Sequence, residues 1–212
     1  MSEPMAATET APSWVGRGIT RVEDDPLLRG REWFIDDIDP LPHAGHAAIV
    51  RSPFAHAQIR SIDVSAALAV DGVIGVVTGA EIAAITQPFP SVLDVPIDYR
   101  PAAYECARFA GEPVAVVVAR DRYVAEDAAA LVVVDYDPQP VVADPASAAE
   151  PTAIRLHAAT TSNVVSDRTF RYGDPEQAFA TAALVVRRRF RHPRNSATPV
   201  ETYGVIANWD ES

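Results

Sequence analysis

Five histidines, one cysteine and several paired carboxylates are the side chains from which this 212-residue chain could assemble a reactive centre. His43 and His46 stand three apart, a spacing that suits two metal ligands on one helix face. Gly45 lies between them and Pro40 and Pro42 sit close by, which denies the helix, and no acidic or cysteine partner falls at a recognisable spacing. His56, within Ser52-Pro-Phe-Ala-His-Ala57, reads as a histidine hydrogen-bonding a turn after a strand. His157 and His192 complete the set. Asp24 with Asp25, Asp36 with Asp37, and Asp94 with Asp98 are paired carboxylates in turn-rich surroundings. General acid–base work needs one carboxyl in an apolar pocket that raises its pKa, so these pairs are expected to cap turns instead. A lone Cys106 builds neither an internal disulfide nor a zinc or iron–sulfur site. The G-x-S-x-G, G-x-x-x-x-G-K-[ST] and G-x-G-x-x-G patterns are all missing, and Gly16-Arg-Gly18 is too short to count. This reading assigns no catalytic residue, no cofactor-binding residue and no metal ligand.

Composition narrows the partners. Hydrophobic residues make up 48% and charged residues 22%, an ordinary globular balance, so the chain should fold. The net charge is −11 and all 18 basic residues are arginine, which argues against a polyanion partner such as nucleic acid. The one dense basic run is Arg187, Arg188, Arg189 and Arg191; interleaved with Val186 and Phe190, it reads as a solvated or interface strand. No apolar run approaches the roughly 20 residues of a membrane helix. Met1 to Ser13 is small, polar and acidic with no secretory pattern and reads as a disordered tail; the setting expected is cytoplasmic.

The elements that must carry these residues follow from periodicity and punctuation. Residues 14–30 and 36–45 look irregular. His46–Arg51 is the first strand, closed by Pro53, with Gln58–Val64 as its expected partner. Ser65–Val70 forms a helical turn, and Gly72–Thr78 lacks a polar face and reads as a buried strand. Thr78 and Glu81 have capping-box spacing, so a helix runs through Ile82 and Ile85. Pro88, Pro90, Pro96 and Pro101 make a long loop, of a length that is uncommon unless functional or covering a partner. Glu112–Ala119 is the strongest strand. Asp121 caps a helix over Arg122–Ala130, with Tyr123 and Ala130 on one side and Glu126 and Asp127 towards water, before a strand at Leu131–Tyr136. Ala143 to about Thr161 has the composition of a connector. Beyond it come strands near Asn163–Tyr172, Ala183–His192 and Thr198–Trp209, and a short helix opened by Asp174-Pro-Glu-Gln177. The class is α+β.

Five segments in order resemble the large subunit of the molybdenum hydroxylases, the xanthine dehydrogenase, aldehyde oxidase and carbon monoxide dehydrogenase family. Gly16-Arg-Gly-Ile-Thr-Arg-Val-Glu-Asp-Asp-Pro-Leu-Leu-Arg-Gly30, with Phe34-Ile-Asp-Asp37 after it, is similar to the family's opening segment. Arg51-Ser-Pro-Phe-Ala-His-Ala-Gln-Ile-Arg-Ser-Ile-Asp63 resembles its most recognisable early motif. Gly72-Val-Ile-Gly-Val-Val-Thr78, Ala110-Gly-Glu-Pro-Val-Ala-Val-Val-Val-Ala119 and Ala125-Glu-Asp-Ala-Ala-Ala-Leu-Val-Val-Val-Asp-Tyr136 continue the match.

Composition marks a disordered tail at 1–13 and a connector at 146–161; the resemblance implies an α/β-hammerhead domain at 14–145 and, at 162–212, the incomplete start, the first strands, of a molybdopterin-binding domain. Ser196 to Trp209 is similar to the strand entering that domain; Glu201 within it is read as a structural strand residue, because the family's glutamate base lies far downstream. The family's glycine-rich loops, and the glutamine near the metal's oxo group, also fall beyond Ser212. The resemblance thus implies a fragment or split subunit that is inactive alone and binds no cofactor by itself. Molybdenum–molybdopterin is expected in the complete large subunit, with iron–sulfur clusters and FAD in partner subunits. The expected partners are the remaining molybdenum-cofactor domain or subunit, an iron–sulfur subunit and a flavin subunit, with no nucleic acid and no membrane. In such enzymes a molybdenum-bound hydroxyl attacks a carbon of an aldehyde, heterocycle or similar small molecule. The alternative is a stand-alone hammerhead that binds or scaffolds without catalysis.

Overall fold

The computed structural model describes residues 14–38, 41–90, 97–193, 195–199 and 201–210. The expected tail at 1–13, Pro40, Asp94 and Pro96 lie outside them. The chain divides into two compact units, one formed by Leu41–Arg187 and the other by residues up to Pro40 together with Arg188–Ser212.

The larger unit holds two three-stranded antiparallel sheets. In the first, β5 (Pro113–Ala119) lies between β1 (His46–Arg51) and β3 (Val73–Thr78). Paired on both sides, β5 needs no polar face, and Val114, Ala115, Val117 and Ala119 are fully buried. In the second sheet, β2 (Ala57–Asp63) lies between the two-residue β4 (Cys106–Ala107) and β6 (Val133–Pro138). The expected pairing of His46–Arg51 with Gln58–Val64 is therefore wrong. β1 continues along β5 past its own end, since Ser52 N donates to Glu112 O (2.9 Å) and Gly111 N to Ser52 O (2.8 Å). That contact carries the chain away from β1 before β2 begins. β3, expected to be buried, is an edge strand with Ile74 67% exposed.

Helices fill the first sheet's covered face. Ala67 of α2 (Ser65–Leu68), Val117 of β5 and Ala128 of α4 (Arg122–Ala129) form the core, with Val50, Val73 and Val76 packed against it. Alanine at Ala125 and Ala128 lets α4 approach closely; Tyr123, placed on the packing side by its spacing, is 78% exposed. Small residues made the better contact face.

Caps set the helix starts. Thr78 and Glu81 close a capping box on α3 (Gly79–Ile85): Thr78 N donates to Glu81 Oε2 (2.7 Å) and Glu81 N to Thr78 Oγ1 (3.4 Å). At its far end, Arg100 Nη1 donates to the Thr86 carbonyl (3.2 Å). Asp121 accepts from Val124 N (2.9 Å), Asp144 starts α5 (Pro145–Ala148), and Asp174 starts α6 (Pro175–Thr181) by accepting from Gln177 N (3.0 Å). In the proline-rich stretch, Phe89 N donates to Tyr99 O (2.8 Å) and the two rings pair at 5.5 Å.

Residues 144–163 are held by their own side chains. Asn163 Oδ1 accepts from Leu156 N (2.9 Å), and its Nδ2 donates to Ile154 O (2.8 Å) and Ala148 O (3.1 Å). The strands expected at 163–172, 183–192 and 198–209 do not form among the described residues. Their composition tolerates extended backbone, but a strand exists only through a ladder partner, and these segments stay exposed, with Phe190 at 91% and Tyr203 at 93%.

In the smaller unit the opening contains a short helix, α1 (Asp24–Leu28), and a 3-10 turn at Ile35–Asp37 where irregular chain was expected. Asp25 pairs with Arg29 at 2.7 Å one turn along α1, and Asp37 Oδ2 accepts from Phe34 N (2.9 Å).

Candidate functional site

The densest buried polar cluster joins two of the motif segments. Ser52, His56 and Glu112 are 2%, 8% and 8% exposed. Pro53 has no N–H and forces the chain to turn, so the polar groups after β1 must find partners elsewhere. Ser52 Oγ exchanges hydrogen bonds with the Phe54 backbone, accepting from its N–H and donating to its carbonyl, each at 3.1 Å. Arg51 Nη1 donates to Gly111 O (2.9 Å). His56 Nδ1 lies 2.8 Å from Pro140 O, and Gln139 N donates to His56 O (2.9 Å). A carbonyl only accepts, so the proton sits on Nδ1. The expected bond to its own turn is replaced by one that holds the chain leaving β6.

Glu112 accepts from Arg108 N, closing the loop between β4 and β5, and Arg108 Nη1 donates to Cys106 O (3.2 Å). Burial pushes the Cys106 thiol above its ordinary range, so at neutral pH it is a protonated packing group. Burial likewise raises Tyr136; its hydroxyl points towards Ser52 but finds no hydrogen-bond partner of good geometry, while its ring packs on Phe54 at 5.2 Å. His157 is half-buried, and burial together with the nearby Arg108 guanidinium holds its imidazole below the usual histidine range.

Serine, histidine and glutamate thus share one buried region, yet the geometry is not a nucleophile–base–orienter relay. Ser52 Oγ is engaged by local backbone, His56 by Pro140 and Glu112 by Arg108 N. What the arrangement does is satisfy loop backbone that folding removes from water. Ser52 and Glu112 stand in the quoted motifs without a role assigned to them, and Arg108 lies outside the motifs; the signal available was Ser-Pro and Gly-Glu-Pro at strand ends, where orphaned backbone groups need side-chain partners.

The other sequence candidates are scattered. His43 is exposed with φ 64°, His46 opens β1, and His192 is exposed. Asp24 pairs with Arg21 at 3.6 Å, and Asp98 with Arg100 at 3.8 Å. Glu201 Oε1 accepts from Ile35 N (2.7 Å), outside any strand. A groove of about 280 Å³ beside α6 is lined by Pro175, Ala178, Phe179, Leu184 and Val186 among others, all apolar, with nothing to orient a substrate.

Comparison with known proteins places this geometry. The profile of the aldehyde oxidase and xanthine dehydrogenase a/b hammerhead domain matches residues 29–140, and that of the molybdopterin cofactor-binding domain matches 156–212. The chain belongs to the aldehyde oxidase and xanthine dehydrogenase family, as its hammerhead region followed by the start of a molybdopterin-binding domain. It is 36% identical to the carbon monoxide dehydrogenase large chain of Afipia carboxidovorans over 99% of its own length and 27% of that protein's. To the nicotine 6-hydroxylase large subunit of Paenarthrobacter nicotinovorans it is 35% identical, covering 92% of this chain and 24% of that one. Among solved structures, quinoline 2-oxidoreductase from Pseudomonas putida 86 superposes with a TM-score of 0.66 at 39% identity, covering 81% of this chain and 22% of that one. The chain spans about a quarter of the length of these relatives.

Among the described residues no group of three or more His, Cys, Asp or Glu could hold a metal ion. A pterin pocket needs walls, and residues 183–193, 195–199 and 201–210 are exposed throughout. The residues present do not by themselves fit a molybdenum–pterin group. Among the described residues no helix is long and apolar enough to cross a membrane.

Proposed function

We propose that this chain is the non-catalytic amino-terminal portion of the large subunit of a molybdenum-dependent hydroxylase or dehydrogenase acting on aldehydes, heterocycles or similar small molecules in the cytoplasm. On this reading residues 14–145 serve as a scaffold, 146–161 connect, and 162–212 begin the cofactor domain. The molybdenum–molybdopterin site is completed by residues outside this chain, and iron–sulfur and flavin subunits carry electrons away. The observation that carries it is the pairing of two profiles in order with a buried cluster in which Ser52, His56 and Glu112 are each engaged in holding loops. A domain so built supplies rigidity to a neighbour. The test is to tag the chain in its native host, purify it under mild conditions and analyse what comes with it. Molybdenum, iron and flavin in co-purifying protein are the expected result. Their absence from every co-purifying protein, or hydroxylase turnover by this chain alone, would sink the proposal.

A further inference from the structure

The smaller unit contains a contact between residues far apart in sequence that does more than the composition of either segment suggests. The turn at Phe34–Ile38 satisfies most of its own backbone: Phe34 N donates to Asp37 Oδ2 (2.9 Å), Asp37 N to Phe34 O (2.9 Å) and Ile38 N to Ile35 O (3.3 Å). The Ile35 N–H points out of this network and is taken by Glu201 Oε1 at 2.7 Å. A charged acceptor on a backbone N–H is among the stronger hydrogen bonds available to a chain. Three residues on, Gly204 meets the same side chain. A Cβ built on it would lie 2.7 Å from Ile35 Cδ1, 2.9 Å from its Cγ2 and 3.6 Å from its Cβ. Only glycine allows this approach with Ile35 in place. One residue of the opening segment is thus held twice, polar on its backbone and apolar on its side chain.

We propose that the Phe34–Asp37 turn is the docking site for the Glu201–Gly204 segment of the same chain. The opening segment, including residues 29–38 at the start of the hammerhead match, then packs with the end of the region matched to the cofactor-binding domain. This contact ties the start of the hammerhead match to that region. It also makes Glu201 an anchor, whose carboxylate sets where a segment that lacks a ladder partner must lie. The partner recognised is chemically specific, a carboxylate followed by a residue with no side chain, as supplied by Glu201-Thr-Tyr-Gly204.

The separation of 3.6 Å between Ile35 Cβ and a Cβ at position 204 lies within the roughly 3.5–4.5 Å range of disulfides, which gives a direct test. In the full 212-residue chain carrying Ile35→Cys and Gly204→Cys, mild oxidation should join the tryptic peptides 32–51 and 195–212. Neither single variant should do so, and Cys106 should stay unlinked because it is buried. In the chain without new cysteines, Glu201→Ala should speed exchange of the Ile35 amide about tenfold, whereas Glu201→Gln, which keeps a carbonyl acceptor, should restore most of the protection. A folded double-cysteine variant that forms no link, or a link to Cys106 instead, overturns the proposal. So does an Ile35 amide indifferent to Glu201→Ala, and this arm decides the matter if the double variant fails to fold.

Discussion

Replacing Gly79 by alanine pits two physical effects of opposite sign against each other. Gly79 is the first residue of α3, is buried, and has no positive φ, so its backbone would accept alanine without strain. Helix propensity alone favours the change by up to about 1 kcal/mol. The added Cβ, however, would lie 1.9 Å from Ala103 O, 2.7 Å from Ala103 C and 3.3 Å from Tyr104 Cα. These are backbone atoms that no rotamer change can move, and Ala103 N is tied to Pro113 O at 2.8 Å, at the start of the central strand. Reaching ordinary contact requires a separation about 1.5 Å greater, an overpacking that typically costs about 1–3 kcal/mol and here falls at the upper end. The net expectation is a loss of about 2 kcal/mol, or a fall in Tm of roughly 4–8 °C at this chain length. Gly75→Ala is the control, since a Cβ there meets nothing within 4 Å. Thermal unfolding followed by circular dichroism of both variants decides the question. A Tm for Gly79→Ala equal to or above the parent's would refute the reasoning, because it would mean that α3 is not seated against residues 103–104 as closely as described.

Val117→Ala should destabilise the larger unit by about 2–3 kcal/mol, from two buried carbons at ~0.8 kcal/mol each plus the cavity left beneath Ala67 and Ala128. Urea unfolding with an unchanged m-value checks this, and a loss under about 0.5 kcal/mol would contradict the assigned core. His157 sets a pH dependence. Its folded pKa lies below the ordinary value, so the folded state binds fewer protons than the unfolded one. The stability it contributes is present above the unfolded pKa of about 6.5 and is lost as pH falls through the folded value. Amide protection factors across 155–163, taken against the unstructured rate at the same pH, should therefore fall below about pH 6.5. His157→Gln should flatten that response, and an unaltered response would assign it to another group.

Elements whose form is decided by their own few residues were legible in the sequence. The capping box at Thr78 and Glu81, the caps at Asp121 and Asp174, and the central strand at β5 each require only local chemistry, and each appears where its residues point. What the sequence hid was partnership. β1 takes β5, some 60 residues on, where Ser52 N donates to Glu112 O and Gly111 N to Ser52 O, contacts that no periodicity encodes. The face of α4 was misjudged because spacing ranks Tyr123 with the apolar side, whereas a helix lying close on a sheet selects Ala125 and Ala128 for their size. At 183–192 and 198–209 the β-branched and aromatic content is real, but propensity states what a residue tolerates and says nothing of whether a neighbouring strand exists.

The candidate site was legible as motifs and illegible as chemistry. Arg51-Ser-Pro-Phe-Ala-His-Ala57 and Gly111-Glu-Pro113 lie far apart in the chain, and neither announces that the other is its partner. Residue types alone would invite a serine–histidine–glutamate relay. Counting donors and acceptors removes that option, because a hydroxyl bonded to the Phe54 backbone and an imidazole N–H given to Pro140 O leave no nucleophile–base pair aligned. The same count explains why these residue types are needed at all. Two prolines, Pro53 and Pro113, withhold N–H groups at the junction of two sheets, and a buried junction cannot leave its carbonyls and amides orphaned. Ser52 is short enough to bond its own turn, Arg51 reaches the Gly111 carbonyl, Glu112 folds back on the Arg108 amide, and His56 spans to the chain leaving β6. A motif can therefore be distinctive because the backbone around it has few ways to be satisfied.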